Sequence, residues 1–259
     1  MEKGTMIGLP LCFVAMIVGA VLKGADPVVL FTNAPALTIV IIGSTAATML
    51  SMGWKDTTNA PKYFKKALSP GPEMDTRGQI DLIVKLTNRA RTEGLLALDE
   101  ESKNIEDPFF RRGIQMAVDG TDPAQLNAAM NAEVKAMSER HKIGQQWLTQ
   151  AGIFAPTFGI IGAVFGLMAT MAHLNEPEHL GPSIAAAFVA TFWGVYLANG
   201  VYLPVANKLK RLSQEEAARM KMTIEGVMAI QAGTSPRVVE QALLAHLPPA
   251  ERASEEKAA

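Results

Sequence analysis

Apolar residues in this chain gather into four long runs. They extend from about Thr5 to Leu22, Pro35 to Trp54, Trp147 to Leu174 and Ser183 to Asn207, and none contains Asp, Glu, Lys or Arg. A helix that crosses the hydrocarbon core of a bilayer needs about 20 predominantly apolar residues. The pattern therefore predicts four transmembrane helices. The first run has the short polar start of a signal peptide. Only Gly24 to Asn33 separates it from the second run, however, so it reads as a retained span.

Between the second and third runs the pattern changes. Asp81 to Ala90, Asp107 to Asp119 and Asp122 to Gln146 carry apolar residues at helical spacing. Gly120-Thr121-Asp122-Pro123 breaks that segment, with Asp122 as a cap and Pro123 at the first helical position. Ser69-Pro70-Gly71-Pro72 reads as a loop. After Ser213 the polar run Glu215 to Lys221 leads into a helix over Thr223 to Ala232. Gly233-Thr234-Ser235-Pro236 stops it and starts another, Pro236 to His246. The charged, small-residue end from Pro248 to Ala259 reads as disordered. No sustained alternation with turn signals occurs, so the expected fold is an all-α integral membrane protein. Its parts are residues 1–54 (transmembrane helices 1 and 2), 55–146 (a cytoplasmic helical domain), 147–207 (transmembrane helices 3 and 4) and 208–259 (a cytoplasmic helical tail).

Composition agrees with a mixture of spans and a soluble part. Of 259 residues, 49% are hydrophobic and 19% charged. The net charge of −1 gives no bulk reason to bind nucleic acid. Orientation follows from Lys and Arg, which are retained on the cytoplasmic side. Of 24 such residues, 14 lie between Lys55 and Lys142 and 8 lie after Asn207. The loop Asn175 to Pro182 carries none, and Lys23 is the exception. Both termini and the middle segment are thus expected in the cytoplasm, with the chain in an inner membrane.

The third run holds Gly152, Gly159, Gly162 and Gly166, small residues that let helix backbones approach closely in a bilayer. Packing within one subunit accounts for them at least as well as packing between subunits. Ion pathways usually need an intramembrane ionisable group, and these runs supply only hydroxyls: Thr38, Ser44, Thr45, Thr48, Thr157, Thr170 and Thr191. Most such hydroxyls bond back to their own helix. A chain of this kind that uses an ion gradient must take its carboxylate from a partner. Pro156 and Pro204 sit near the cytoplasmic ends of the third and fourth runs, where each permits a bend or a stop.

No enzyme chemistry is legible. There is no Gly-rich phosphate loop after a strand, no metal-ligand cluster and no nucleophile–base pairing. His141, His173, His179 and His246 are scattered, with His173 and His179 read as surface residues. The lone cysteine, Cys12, reads as a small buried hydrophobe. No catalytic residue, metal or cofactor is assigned.

Four segments carry a resemblance. They are Ala90-Arg91-Thr92-Glu93-Gly94-Leu95-Leu96-Ala97-Leu98-Asp99-Glu100, the stretch Ala155-Pro156-Thr157-Phe158-Gly159 through Leu167, Leu203-Pro204-Val205-Ala206-Asn207-Lys208-Leu209-Lys210, and Glu225-Gly226-Val227 through Arg237. In this order they resemble the MotA/PomA family of flagellar motor stator proteins, over almost the whole chain.

The resemblance implies several copies, taken as five, around two MotB-like chains. Each MotB-like chain would bring a transmembrane aspartate and a peptidoglycan-binding domain. It implies that Arg91, Asp99 and Glu100 contact the rotor protein FliG. Asp99 stands where the family usually has glutamate, which shortens the reach. It further implies that Pro156 and Pro204 couple ion flow to torque and that Thr191 faces the ion path. Ala163 stands where sodium-driven relatives tend to carry a hydroxyl. One oxygen ligand fewer points to protons. An ExbB or TolQ type energiser shares the glycine-rich runs but typically has three spans. A membrane scaffold without ion coupling leaves Pro156, Thr191 and Pro204 unexplained.

Overall fold

The computed structural model describes residues 3–69 and 75–247. The loop expected at Pro70-Gly71-Pro72 and the disordered end expected from Pro248 to Ala259 lie outside the described residues.

Among the described residues every regular element is a helix. The principal helices are α1 (Lys3–Leu22), α2 (Ala34–Met52), α3 (Ala60–Leu68), α4 (Thr76–Glu93), α5 (Leu98–Ser102), α6 (Pro108–Val118), α7 (Pro123–Ala172), α8 (Pro177–Gln231) and α9 (Pro236–Leu244). By length and composition, α2, α7 and α8 are long and apolar enough to cross a membrane. The apolar stretch of α1, Ile7–Leu22, is shorter. Helix α8 begins at Pro177, so the expected loop before Ser183 is cut to the few residues around Leu174–Glu176. Pro177 supplies the reason, since its fixed φ suits the first turn of a helix. Asp122 caps α7, accepting from the backbone N–H of Ala124 at 2.9 Å.

The chain divides into two compact units, Met1–Gly71 with His141–Leu212 and Pro72–Arg140 with Ser213–Ala259. In the first unit, α2 packs on α8 through Ala36, Val40, Val189, Ala190 and Trp193. The Trp193 indole donates to the carbonyl of Leu30 at 2.6 Å, which satisfies the one polar atom of a buried ring. A second cluster joins α3, α7 and α8 through Ala60, Ala67, Trp147, Ala151, Tyr202 and Val205. Helix α1 is held more loosely. Phe13 packs on Phe31 and Tyr196 with ring centroids 6.1 and 6.3 Å apart. Cys12 is exposed on α1, which corrects its reading as a buried hydrophobe. The hydrophobic run that contains it presents most of its side chains outward instead of to a protein core.

The second unit has a conventional core. Ile80, Ile83, Leu86, Leu98, Phe110 and Ile114 pack with Leu126, Met222, Val227, Ile230 and Leu243. Polar links bind its edges. The Gln79 amide donates to the Thr223 hydroxyl at 2.6 Å, and the Gln231 amide donates to the Thr121 carbonyl at 2.6 Å. Gly233, at φ +65°, ends α8 in the left-handed region that favours glycine, and Pro236 opens α9.

Candidate functional site

Helices α7 and α8 cross at the closest approach their backbones allow. A Cβ on Gly159 would lie 2.9 Å from the Ala190 carbonyl oxygen and 3.3 Å from the Cα of Thr191. A Cβ on Gly194 would lie 2.7 Å from the Ala155 carbonyl oxygen and 3.2 Å from the Cα of Pro156. Glycine is required on both sides because any side chain would press on backbone. The other three glycines of the third apolar run pack on the same chain: Gly152 on Leu203, Gly162 on Ala190 and Gly166 on Ala187. The small-residue face is thus used within the subunit.

Two of the candidate coupling residues, Pro156 and Thr191, flank this crossing. Pro156 is half-buried, and α7 runs through it unbroken. The Thr191 hydroxyl donates to its own helix at the Ala187 carbonyl, 3.3 Å away. Ser44, Thr48 and Thr170 also donate to backbone carbonyls of their own helices. Ala163 is half-buried, one residue past Gly162. Pro204 is exposed and stands apart, ten residues beyond Gly194 and so about 15 Å along the helix.

Two turns widen to π geometry, Thr38–Ile42 in α2 and Leu197–Tyr202 in α8. The second ends just before Pro204, which has no N–H to give the preceding turn and whose ring crowds a carbonyl there. The sequence reading missed Gly194 and the widened turns. Gly194 and Gly200 in the fourth run were the available signal.

In the second unit, Gly94 has φ +86° and reverses the chain after α4. A 3₁₀ turn, Leu95–Ala97, then leads into α5, anchored by the fully buried Leu98. Arg91 and Glu100 are exposed, and among the described residues neither makes an ion pair. Asp99 is half-buried and lies 3.8 Å from Lys103. Leu96, 77% exposed, projects between them in the sequence. The order of this corner comes from a pair that sequence reading passed over. The Arg89 guanidinium hydrogen-bonds Glu101, and Lys85 lies 3.7 Å from the same carboxylate. The Glu101 hydrogen bond and then its charge hold Arg89 above its ordinary range, with Glu93 adding to both effects.

The MotA/TolQ/ExbB proton channel family model matches residues 101–222. Motility protein A of Bacillus subtilis is 38% identical over 97% of this chain and 93% of its own length. The chain belongs to the MotA/PomA family. Motility protein A of Borreliella burgdorferi is 36% identical, over 86% of this chain and 85% of its own length. The flagellar MotAB stator complex from Bacillus subtilis contains a chain that superposes with a TM-score of 0.91. It is 37% identical and covers 98% of this chain and 99% of its own.

Three of the four motifs of this MotA/PomA chain do different physical work. Ala155 to Leu167 builds the crossing with α8. Glu225 to Arg237 is a core motif: a Cβ on Gly226 would meet Ile83 at 2.8 Å, and Val227 and Ile230 are buried. Ala90 to Glu100 forms the corner that exposes Arg91 and Glu100. The MotA/PomA family is one of proton channels and motility proteins rather than of enzymes.

Proposed function

We propose that this chain is a stator subunit of the flagellar motor, coupling ion flow to torque. The carrying observation is its likeness, over nearly the whole length, to the flagellar MotAB stator complex. In this reading the chain crosses the bacterial inner membrane four times, through α1, α2, α7 and α8, with both termini in the cytoplasm. Residues 1–54 and 147–207 hold the spans, 55–146 and 208–259 the cytoplasmic part. The asymmetry of Lys and Arg supports that orientation.

A MotB-like partner supplies the membrane carboxylate that the four apolar runs lack. Five copies surround two such partners. Pro156 and Thr191, beside the α7–α8 crossing, and Pro204, beyond a widened turn, are the coupling residues. A helix pair held by glycines slides or pivots with little side-chain repacking. Ala163 leaves the pathway without an added hydroxyl, which favours protons. Arg91, Asp99 and Glu100 meet the rotor protein FliG. Exposed charges steer a repeated encounter without holding it.

The test is deletion of the gene, with swimming and filament number scored together. Normal filaments that do not turn, restored by the gene in trans, are the expected outcome. Loss of filaments, or normal swimming in a strain without a second stator set, would refute the reading. In the latter case the ExbB/TolQ type of energiser is the one to examine.

A further inference from the structure

Helix α2 ends at Gly53, whose φ of +89° turns the chain out of the apolar run. A basic elbow follows, made of the helical turn Trp54–Thr58 and then α3. Between Trp54 and Ser69 stand four lysines, Lys55, Lys62, Lys65 and Lys66, against one acid, Asp56.

The two faces of α3 differ. Ala60, Tyr63, Phe64 and Ala67, at positions i, i+3, i+4 and i+7, pack into the cluster that holds Trp147, Leu148 and Tyr202. Lys62, Lys65 and Lys66 are exposed on the other face, and Lys55 is exposed before it. Three contacts fasten the elbow to α7. The Trp147 indole donates to the Thr57 hydroxyl at 3.1 Å. The Tyr63 ring fills the space beside Gly144, where a Cβ would come within 2.8 Å of it. The Lys66 ammonium donates to Nε2 of His141 at 2.7 Å. Lys66 is thus used within the fold. Among the described residues Lys55, Lys62 and Lys65 make no ion pair.

These contacts also set the depth of the elbow. Trp147 opens the third apolar run, and His141 stands before it, about 9 Å along the helix. The headgroup layer on each side of a bilayer is about 5–8 Å thick. The elbow therefore follows α7 outward from the edge of the apolar run across the headgroup layer. Trp54, 72% exposed, stands at the same edge, where tryptophan is favoured.

The apolar face of α3 is already spent on the protein, so the helix has nothing to insert into hydrocarbon. What it offers sideways is fixed positive charge at headgroup depth. An acidic segment of a soluble partner would match the charge but would have to displace headgroups to reach it. We propose that Lys55, Lys62 and Lys65 bind the headgroups of anionic phospholipids in the inner leaflet. Lysine clusters directly cytoplasmic of a span suit such lipids. The inference rests on the membrane placement proposed above. Because the elbow is fastened to α7 at three points, headgroup binding would hold the base of α7 at a fixed depth.

Quenching of Trp54 by brominated lipid tests this, on the chain assembled with its partner subunit in mixed phosphatidylglycerol and phosphatidylcholine vesicles. Either lipid carries the bromine, and Trp54→Phe supplies the background from other tryptophans. Phosphatidylglycerol should associate about fivefold or more better than phosphatidylcholine, the contribution of one basic side chain near the surface. Raising the salt should shrink that preference, because it shortens the reach of the charges. Replacing Lys55, Lys62 and Lys65 together by Gln should bring the ratio to about one, whereas replacing all three by Arg should keep it. Lys66 stays in place in both variants, so the His141 contact survives. Equal quenching by the two lipids, unaffected by salt or by the Gln variant, would overturn the inference while leaving the membrane placement standing. Absence of quenching by either lipid would overturn both. An impermeant thiol reagent should spare Lys62→Cys in a Cys12→Ala chain in intact cells and modify it in inverted vesicles. Modification in intact cells would remove the elbow from the inner leaflet.

Discussion

Gly159 and Gly194 face each other so closely that a Cβ on Gly194 would lie 3.0 Å from the Cα of Gly159. The obstacle on both sides is backbone, which cannot rotate away as a side chain can. Gly194→Val should therefore force α7 and α8 apart at the level of Pro156 and Thr191. Overpacking of this kind costs about 1–3 kcal/mol. A lower melting temperature of the purified complex, together with lost swimming, is expected. Wild-type values for both would show that the crossing is not tight.

Arg91 is exposed, and among the described residues it makes no ion pair, so its substitution breaks no ion pair of the fold. Arg91→Glu should leave expression and melting temperature unchanged while swimming is impaired. Swarm-plate diameter against immunoblot level measures both. A variant that swims normally would remove Arg91 from the rotor contact.

Glu101 should behave in the opposite way. It ties α5 to Arg89 and Lys85 rather than presenting itself outward. Glu101→Ala should raise hydrogen exchange at 95–102 with little change in global melting. Unchanged exchange there would mean that Leu98 alone holds the corner.

In the second unit Gly226 sits on Ile83, where a Cβ would come within 2.8 Å of two of its side-chain carbons. Gly226→Ala should destabilise by about 1–3 kcal/mol. Ile83→Val on the same chain should recover part of that loss, giving a non-additive double mutant. Additive effects in thermal melting would rule out the direct contact.

Ala163 gives the ion test. Swimming should survive replacement of sodium by potassium and stop with a proton uncoupler. The reverse outcome would move this chain to the sodium-driven side. Ala163→Ser, tested at the same time, shows whether one added hydroxyl alters the dependence.

Much of this was open to reading without coordinates. Four uncharged apolar runs stand out because hydrocarbon tolerates few charges, and that constraint is written residue by residue. The helix starts at Pro123 and Pro236 and the stop at Gly233 are equally local, set by a cap, a fixed φ and a positive φ. Gly152, Gly159, Gly162 and Gly166 announced a tight face, and Arg91, Asp99 and Glu100 were visible as a charged motif.

What only the tertiary structure decided is which surfaces meet. Gly159, Gly162 and Gly166 pack on Ala187, Ala190 and Gly194 of the same chain, because close approach needs a matching small residue far away in sequence. Cys12 faces outward despite its apolar neighbours, since hydrophobicity alone does not distinguish a protein core from a lipid-facing surface. Arg89, rather than Arg91, anchors the corner, because the reversal at Gly94 brings Glu101 back to it. Local sequence sets backbone conformation and polarity. Pairing between distant residues follows from three-dimensional packing, and the crossing beside Pro156 comes from such pairs.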